Sequence, residues 1–269
     1  MTNKLNVSLS TEEKLTEFGP TKPSEVKSID DIPPHWIVQP KLKGMSGLLS
    51  PDGRVYTGKM NFCSRFYPNP FKRWVQGEIY STQVDQWDIV GAFHSSIWHP
   101  EAQFWAFDIV DERKVQISRN YELDMGNWQF KTVPHVLHST RNINVLSDIF
   151  SEAFAIPASD LEGLIFRDPD VVYQYGRTKS VLKLKFYKEM DCEVLGKVEG
   201  NGKRKGMLGA FICISAENGE PFQCGGGKGL TNDKLRSLWE NPSPKRIKVR
   251  YEALKNGTPQ CPQFMEVIP

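Results

Sequence analysis

From Trp36 onward the chain is a succession of short apolar or alternating runs, each closed by a turn signal. WIVQPKLKGMSGLL, RVYTG, WVQGEIYS and FWAFDIV are rich in Val, Ile, Trp and Phe, and Gly, Pro and Asp groups such as Pro51-Asp52-Gly53 separate them. Branched and aromatic side chains suit a pleated, half-buried surface, so these runs predict strands and hairpins. A helix interrupts them: over 144–156, Val145, Ile149, Phe150 and Phe154 fall at helical spacing behind a capping Asn144, which predicts about three turns. Strands then resume with LEGLIFRD and VLKLKFYK. The second alternates apolar and basic residues, so a strand puts Lys183 and Lys185 on one side, facing a groove.

The segment from 188 to the C-terminus reads as a second domain. Five or so short strands, among them MLGAFICIS, KRIKVRYEAL and CPQFMEVIP, share roughly 80 residues with one helix, TNDKLRSLWE, as a small β-barrel requires. Residues 1–35 are polar and carry Pro20, Pro23, Pro33 and Pro34, which reads as a lead-in lying on the surface more than building core. The expected fold class is α+β: a first domain over 36–187 and a second over 188–269.

Composition removes several functions. An apolar content of 39% excludes disorder as a general description. With 34 Lys and Arg against 32 Asp and Glu, the net charge of +2 gives no global field for a polyanion, so nucleic-acid binding must come from local patches. Two exist: Lys203-Arg204-Lys205 in a Gly-flanked loop, and KRIKVR, which alternates Lys248 and Arg250 with apolar residues. Both are also ordinary solvated faces. The five cysteines show no CxxC or zinc spacing and read as reduced thiols. No secretion signal and no long apolar run is visible, so an intracellular, cytoplasmic protein without a membrane partner is expected.

The residues that suggest chemistry recur along the strands. Lys41 ends a predicted strand three residues before Gly44. A lysine attacks phosphorus only after its ammonium, whose reference pKa is about 10.4, loses a proton, and Lys43, Lys183 and Lys185 are nearby charges that promote this. Glu78 and Glu162 lie on strands beside a Gly, and Phe107 precedes Asp108. Phe107 reads equally as a core ring or as a base-stacking face. Two carboxylates, an aromatic face and three ammoniums are the groups needed to hold a nucleotide.

In this order the motifs resemble the covalent nucleotidyltransferases, which comprise ATP-dependent polynucleotide ligases and capping enzymes. Lys41-Leu42-Lys43-Gly44 looks like the KxDG motif, Gln76-Gly77-Glu78 like the third motif and Phe107-Asp108 like the aromatic step after it. Glu162-Gly163-Leu164-Ile165 looks like the fourth motif and Lys183-Leu184-Lys185 like the fifth, while the C-terminal block is similar to the OB-fold domain of small phage-type and bacterial DNA ligases. The resemblance implies a nucleotidyltransferase domain of antiparallel sheets flanked by helices, followed by an OB-fold barrel. It implies a monomer using ATP with Mg²⁺ or Mn²⁺ to seal nicked double-stranded DNA.

Carried onto this chain, Lys41 forms the lysyl-AMP bond and Lys183 and Lys185 neutralise the α-phosphate. Glu162 and Glu78 hold the metal or ribose, Phe107 stacks on adenine and Gln39 meets its edge. Arg65 grips the 5′-phosphate, and Lys203, Arg204, Lys205, Lys248 and Arg250 follow the DNA backbone. The chain departs from the pattern where Lys43 replaces the motif Asp and Ser46 replaces the Arg five places after the nucleophile. For the 5′-phosphate ligand, Ser64-Arg65 has the better composition and Tyr56-Thr57-Gly58-Lys59 the better spacing. An RNA ligase, a capping guanylyltransferase and a nicked-DNA binder without adenylylation are the alternatives.

Overall fold

The structure, a computed structural model, describes residues 9–94, 98–126, 129–137, 140, 142–157, 160–215, 218–226 and 230–269. The contacts divide it into two compact units, residues 1–185 and 186–269. In chain order the first unit holds α1 (Thr11–Phe18), β1 (Lys22–Val26), β2 (Ile37–Leu42), β3 (Met45–Leu49), β4 (Arg54–Thr57), β5 (Phe62–Phe66) and β6 (Val75–Tyr80). It continues with α2 (Gln86–His94), β7 (Gln103–Ile109), α3 (Gln116–Asp124), β8 (Lys131–Thr132), β9 (Val136–Leu137), α4 (Ile143–Asp148), β10 (Leu161–Arg167) and β11 (Arg177–Lys185).

The strands of this unit form two sheets, ordered β1-β11-β10-β2-β9 and β5-β4-β3-β6-β7-β8. The chain passes from one sheet to the other between β2 and β3, at Lys43-Gly44. Leu49, Val55, Ile79, Phe104 and Ile109, all fully buried, build the core of the six-stranded sheet, and Ile89 of α2 packs into it. Phe104 is therefore a core ring, as alternation demands, while Phe107 lies on the other face.

Two expectations change here. The first 35 residues are built into the fold: β1 pairs in parallel with β11, and Leu15 of α1 is buried against Leu48, Trp74, Val110 and Tyr173. Polar composition concealed this, because three scattered apolar side chains, Leu15, Ile29 and Ile32, are buried and a backbone ladder completes the anchoring. The helix expected over 144–156 exists, but its cap is Asn142, which accepts from Asn144 N and Val145 N, and its second half widens into a π-helical turn over Ile149–Ala153. Leu146 and Phe150 form its buried face, whereas Val145 and Phe154 are exposed.

The second unit holds β12 (Lys188–Glu199), β13 (Leu208–Ile214), β14 (Pro221–Gly225), α5 (Asn232–Glu240), β15 (Arg246–Tyr251), β16 (Ala253–Lys255), β17 (Thr258–Gln260) and β18 (Gln263–Ile268). Five of these strands close a barrel in the order β12-β13-β14-β18-β15, the strand count and size of an OB-fold, and β16 and β17 form a separate hairpin. Phe211, Cys213, Ile247, Val249 and Phe264 fill the barrel, and Leu235 and Leu238 of α5 join its core. Lys197 closes the C-terminal end of α5 by donating to the Trp239 and Asn241 carbonyls at 2.5 and 2.6 Å.

Candidate active site

A cavity of about 980 Å³ lies between the two sheets of the first unit. Gln39 and Lys41 of β2, Ile165 and Arg167 of β10 and Lys183 of β11 line one wall; Ser46, Thr57, Gln76, Glu78 and Phe107 line the other. Lys41 sits at the end of β2, directly opposite Gly163 of β10. Its ammonium is ion-paired with Glu162 Oε2, and both side chains are largely enclosed.

Two glycines make this approach possible. Gly163 has φ +150°, and a Cβ there meets the Leu184 carbonyl oxygen at 2.1 Å, so β10 and β11 close up only without a side chain beside Glu162. A Cβ on Gly44 meets the Ile79 oxygen at 2.6 Å and Glu78 Cγ at 2.7 Å, so the turn after Lys41 packs directly on β6. That packing places Glu78 beside Lys41 and Glu162. Burial pushes the Glu78 carboxyl up from 4.5 to about 7; Lys41 and the Gly44 N–H lower it and the like charge of Glu162 raises it.

At another part of the cavity, buried polar groups are fully connected. Arg167 Nε donates to Gln39 Oε1 at 2.6 Å, and Gln39 Nε2 donates to the Phe107 carbonyl at 3.3 Å. The Arg167 guanidinium lies 4.9 Å from the Phe107 ring centroid. Asp108, 1% exposed, balances it: Arg167 Nη1 reaches Oδ2 at 3.3 Å and Arg119 Nε reaches Oδ1 at 2.7 Å. Phe107 is half-buried with its ring in the cavity lining, so the structure resolves the two sequence readings towards a cavity-facing aromatic.

The cations divide. Lys183 lines the cavity and lies 3.7 Å from Glu25 of β1; Lys185 stands opposite Gly163 in the β10–β11 register and is outside the lining. Arg65 is also outside it: its guanidinium lies over the rings of Tyr67 and Trp98, at 5.3 and 5.9 Å. Lys59, at the alternative spacing, is in the lining, and so are Lys22 and Arg177, which sequence reasoning missed. The alternation that placed Lys183 on one face also reaches Arg177 through Val181 and Lys179, so that signal was available. Lys22 had none, because it arrives through the parallel pairing Lys22↔Arg177 across the whole unit.

On the barrel, Lys203 and Arg204 occupy a 3-10 turn and, with Lys205, are solvent-exposed. Ile247 and Val249 point inward and Lys248 and Arg250 outward, as alternation requires. Lys248 is held by Glu266 at 3.3 Å, while Arg250 donates to Gln263 Oε1 at 2.9 Å and lies over the Tyr187 ring.

The first unit is a two-sheet α+β fold with a strand-borne lysine in its central cavity, and the second is a five-stranded barrel of OB-fold type. The chain is similar to DNA ligases. Residues 199–267 match the family described as DNA ligase OB-like domain. The DNA ligase of Haemophilus influenzae is 26% identical over an alignment of 242 positions that covers 82% of this chain and 82% of the relative. That of Methanothrix thermoacetophila is 32% identical over 106 residues, 38% of this chain and 19% of the relative. A solved structure of a Lig E DNA ligase superposes with TM-score 0.68 at 19% identity, covering 92% of this chain and 99% of that one. The likeness to DNA ligases read from the motif order is borne out over most of the chain. No helix among the described residues is long and apolar enough to cross a membrane.

Proposed function

We propose that the chain is an ATP-dependent DNA ligase that seals nicks in duplex DNA through a lysyl-AMP intermediate on Lys41. The observation that carries this is Lys41, ion-paired with Glu162, in the lining of a nucleotide-sized cavity that also holds Phe107, Gln39, Glu78 and Lys183, with Glu162 itself outside that lining.

In the first step Lys41 Nζ forms a bond to the α-phosphorus of ATP as the bond to the pyrophosphate oxygen breaks. Glu162 Oε2, already in contact with Nζ, orients the amine, which attacks after its proton has passed to solvent, so the nitrogen presents a lone pair. Lys183 offsets charge growing on the α-phosphate. Phe107, backed by Arg167, gives a flat face to the base, and Gln39 is held where its amide meets the base edge. Glu78 and Glu162 fit a hard divalent cation such as Mg²⁺ or Mn²⁺: both offer carboxylate oxygens, and their mutual repulsion is part of what raises Glu78. Such an ion, when bound, supplies Lewis-acid polarisation of phosphate oxygens.

AMP then passes from Lys41 to the 5′-phosphate, and the strand's 3′-hydroxyl displaces it. Lys22, Lys59 and Arg177 are the lining cations available to a second phosphate. The exposed Lys203, Arg204 and Lys205 suit backbone phosphates independently of sequence.

Incubation with α-labelled ATP tests the reading. Covalent AMP on wild type and none on a folded Lys41→Ala variant support it. Undiminished label on Lys41→Ala moves the nucleophile elsewhere, label from GTP alone indicates capping chemistry, and no label on wild type indicates a binder. Sealing of a nicked duplex by the labelled protein completes the test.

A further inference from the structure

Lys43 stands where the resembled motif carries a carboxylate, in the turn that carries the chain between the two sheets. Its ammonium donates to Asp85 Oδ2 at 3.1 Å, with the lysine side chain 15% and the aspartate 29% exposed. Asp85 divides its oxygens: Oδ1 accepts from Trp87 N at 2.9 Å, in the first turn of α2. Helix α2 in turn sends Val90 and Phe93 into the cavity lining and Ile89 into the core.

The same turn has two more tethers. Lys43 N–H donates to the Asp160 carbonyl at 3.1 Å, and Gly44 N–H is hydrogen-bonded to Glu78. Both run from backbone to a neighbouring strand or loop. Among these three, the Asp85 tether is the ion pair, and it joins the turn after Lys41 to the helix that walls the cavity.

We propose that Asp85 is a positioning residue for Lys41, acting through Lys43 as a charge-reversed clasp that stands in for the carboxylate of the resembled motif. The proposal rests on Lys41 being the nucleophile. Its consequence runs against the motif: an Asp at position 43 removes the ammonium that pairs with Asp85 and adds a second negative charge to the same turn, where like charges repel. Restoring the motif's residue damages this chain. A lysine at position 85 repairs the damage.

The test uses full-length wild type, Lys43→Asp, Asp85→Lys and the Lys43→Asp/Asp85→Lys double variant, read for the rate of lysyl-AMP formation, KM for ATP and thermal midpoint. Lys43→Asp is expected to slow lysyl-AMP formation about tenfold or more, with a much smaller change in KM, because misplacement affects attack more than binding. The double variant is expected within about threefold of wild type, the coupling that a contacting pair produces. Asp85→Asn keeps an acceptor for Trp87 N but loses the charge, so it slows labelling without moving the midpoint.

Wild-type rates in Lys43→Asp or Asp85→Asn, or a double variant as slow as the slower single one, overturn the clasp. No label on wild type overturns the reading of Lys41 and the clasp with it. Label on wild type with indifference at 43 and 85 overturns the clasp alone.

Discussion

Arg167 and Gln39 are joined by a 2.6 Å hydrogen bond from guanidinium Nε to amide Oε1, made between neighbouring strands β10 and β2 and buried from solvent. The bond fixes which way the amide points, and the same guanidinium lies over Phe107. Two groups assigned to the base are thus held by one side chain. Arg167→Lys keeps a charge but loses the planar fork. A hydrogen bond to a charged group contributes about 1.5–3 kcal/mol, so the variant is expected to raise KM for ATP roughly tenfold or more. Titration of adenylylation rate against ATP checks it; an unchanged KM removes Arg167 from base binding.

Asp108 supports that arrangement from behind. It is the counter-charge of two enclosed guanidiniums, Arg119 and Arg167. Asp108→Asn leaves both without it, and breaking a buried charge network from one side costs about 3–5 kcal/mol. Urea denaturation of the variant is expected to show that loss, a larger one than Arg167→Met, which leaves Arg119 paired.

Glu78 gives the chain a pH dependence with a definite sign. Burial, with Glu162 adding to it, raises its folded pKa from 4.5 to about 7 against the opposing effects of Lys41 and the Gly44 N–H. The protonated form is the one the fold favours, so its contribution to stability is full below about 4.5 and is lost as pH rises through about 7. Glu78→Gln has no proton to lose. The thermal midpoint of the variant minus that of wild type is expected to grow more positive between pH 4.5 and 8, and a difference that stays flat sinks the assignment.

Leu15 tests whether the N-terminal segment is structural. Its side chain is 1% exposed among Leu48, Trp74, Val110 and Tyr173, and the segment it anchors continues into β1 and Lys22. Leu15→Ala is expected to cost about 2–5 kcal/mol, as truncation at a packed site does. A loss near zero on chemical denaturation returns residues 11–18 to the surface role that their composition suggests.

Legibility followed the physics of each signal. Period-two alternation is local, so β10, β11 and β15 were readable, with Ile247 and Val249 inward and Lys248 and Arg250 outward. The placing of Lys41, Glu78 and Phe107 in one cavity came from motif order, which carries information that no single residue has. What the sequence did not carry is long-range: the parallel β1–β11 pairing that brings Lys22 beside Arg177, and the Lys43–Asp85 pair. Composition and spacing point to different residues here: Arg65, the better match in composition, lies over Tyr67 and Trp98, while Lys59, at the better spacing, lines the cavity.

The barrel offers two sets of cations that exposure separates. Lys203, Arg204 and Lys205 are solvent-exposed around a short turn, free to reorient towards phosphates. Lys248 and Arg250 are engaged with Glu266, Gln263 and the Tyr187 ring, and binding phosphate through them first breaks those contacts. Each phosphate contact contributes about 0.9 to the slope of log affinity against log salt on duplex DNA. Replacing Lys203, Arg204 and Lys205 with Gln is therefore expected to weaken nicked-duplex binding and flatten that slope by about 2–3, whatever the DNA sequence. Replacing Lys248 and Arg250 flattens it less. Fluorescence anisotropy across a salt series measures both, and an unchanged slope in the triple variant removes the turn from the DNA interface.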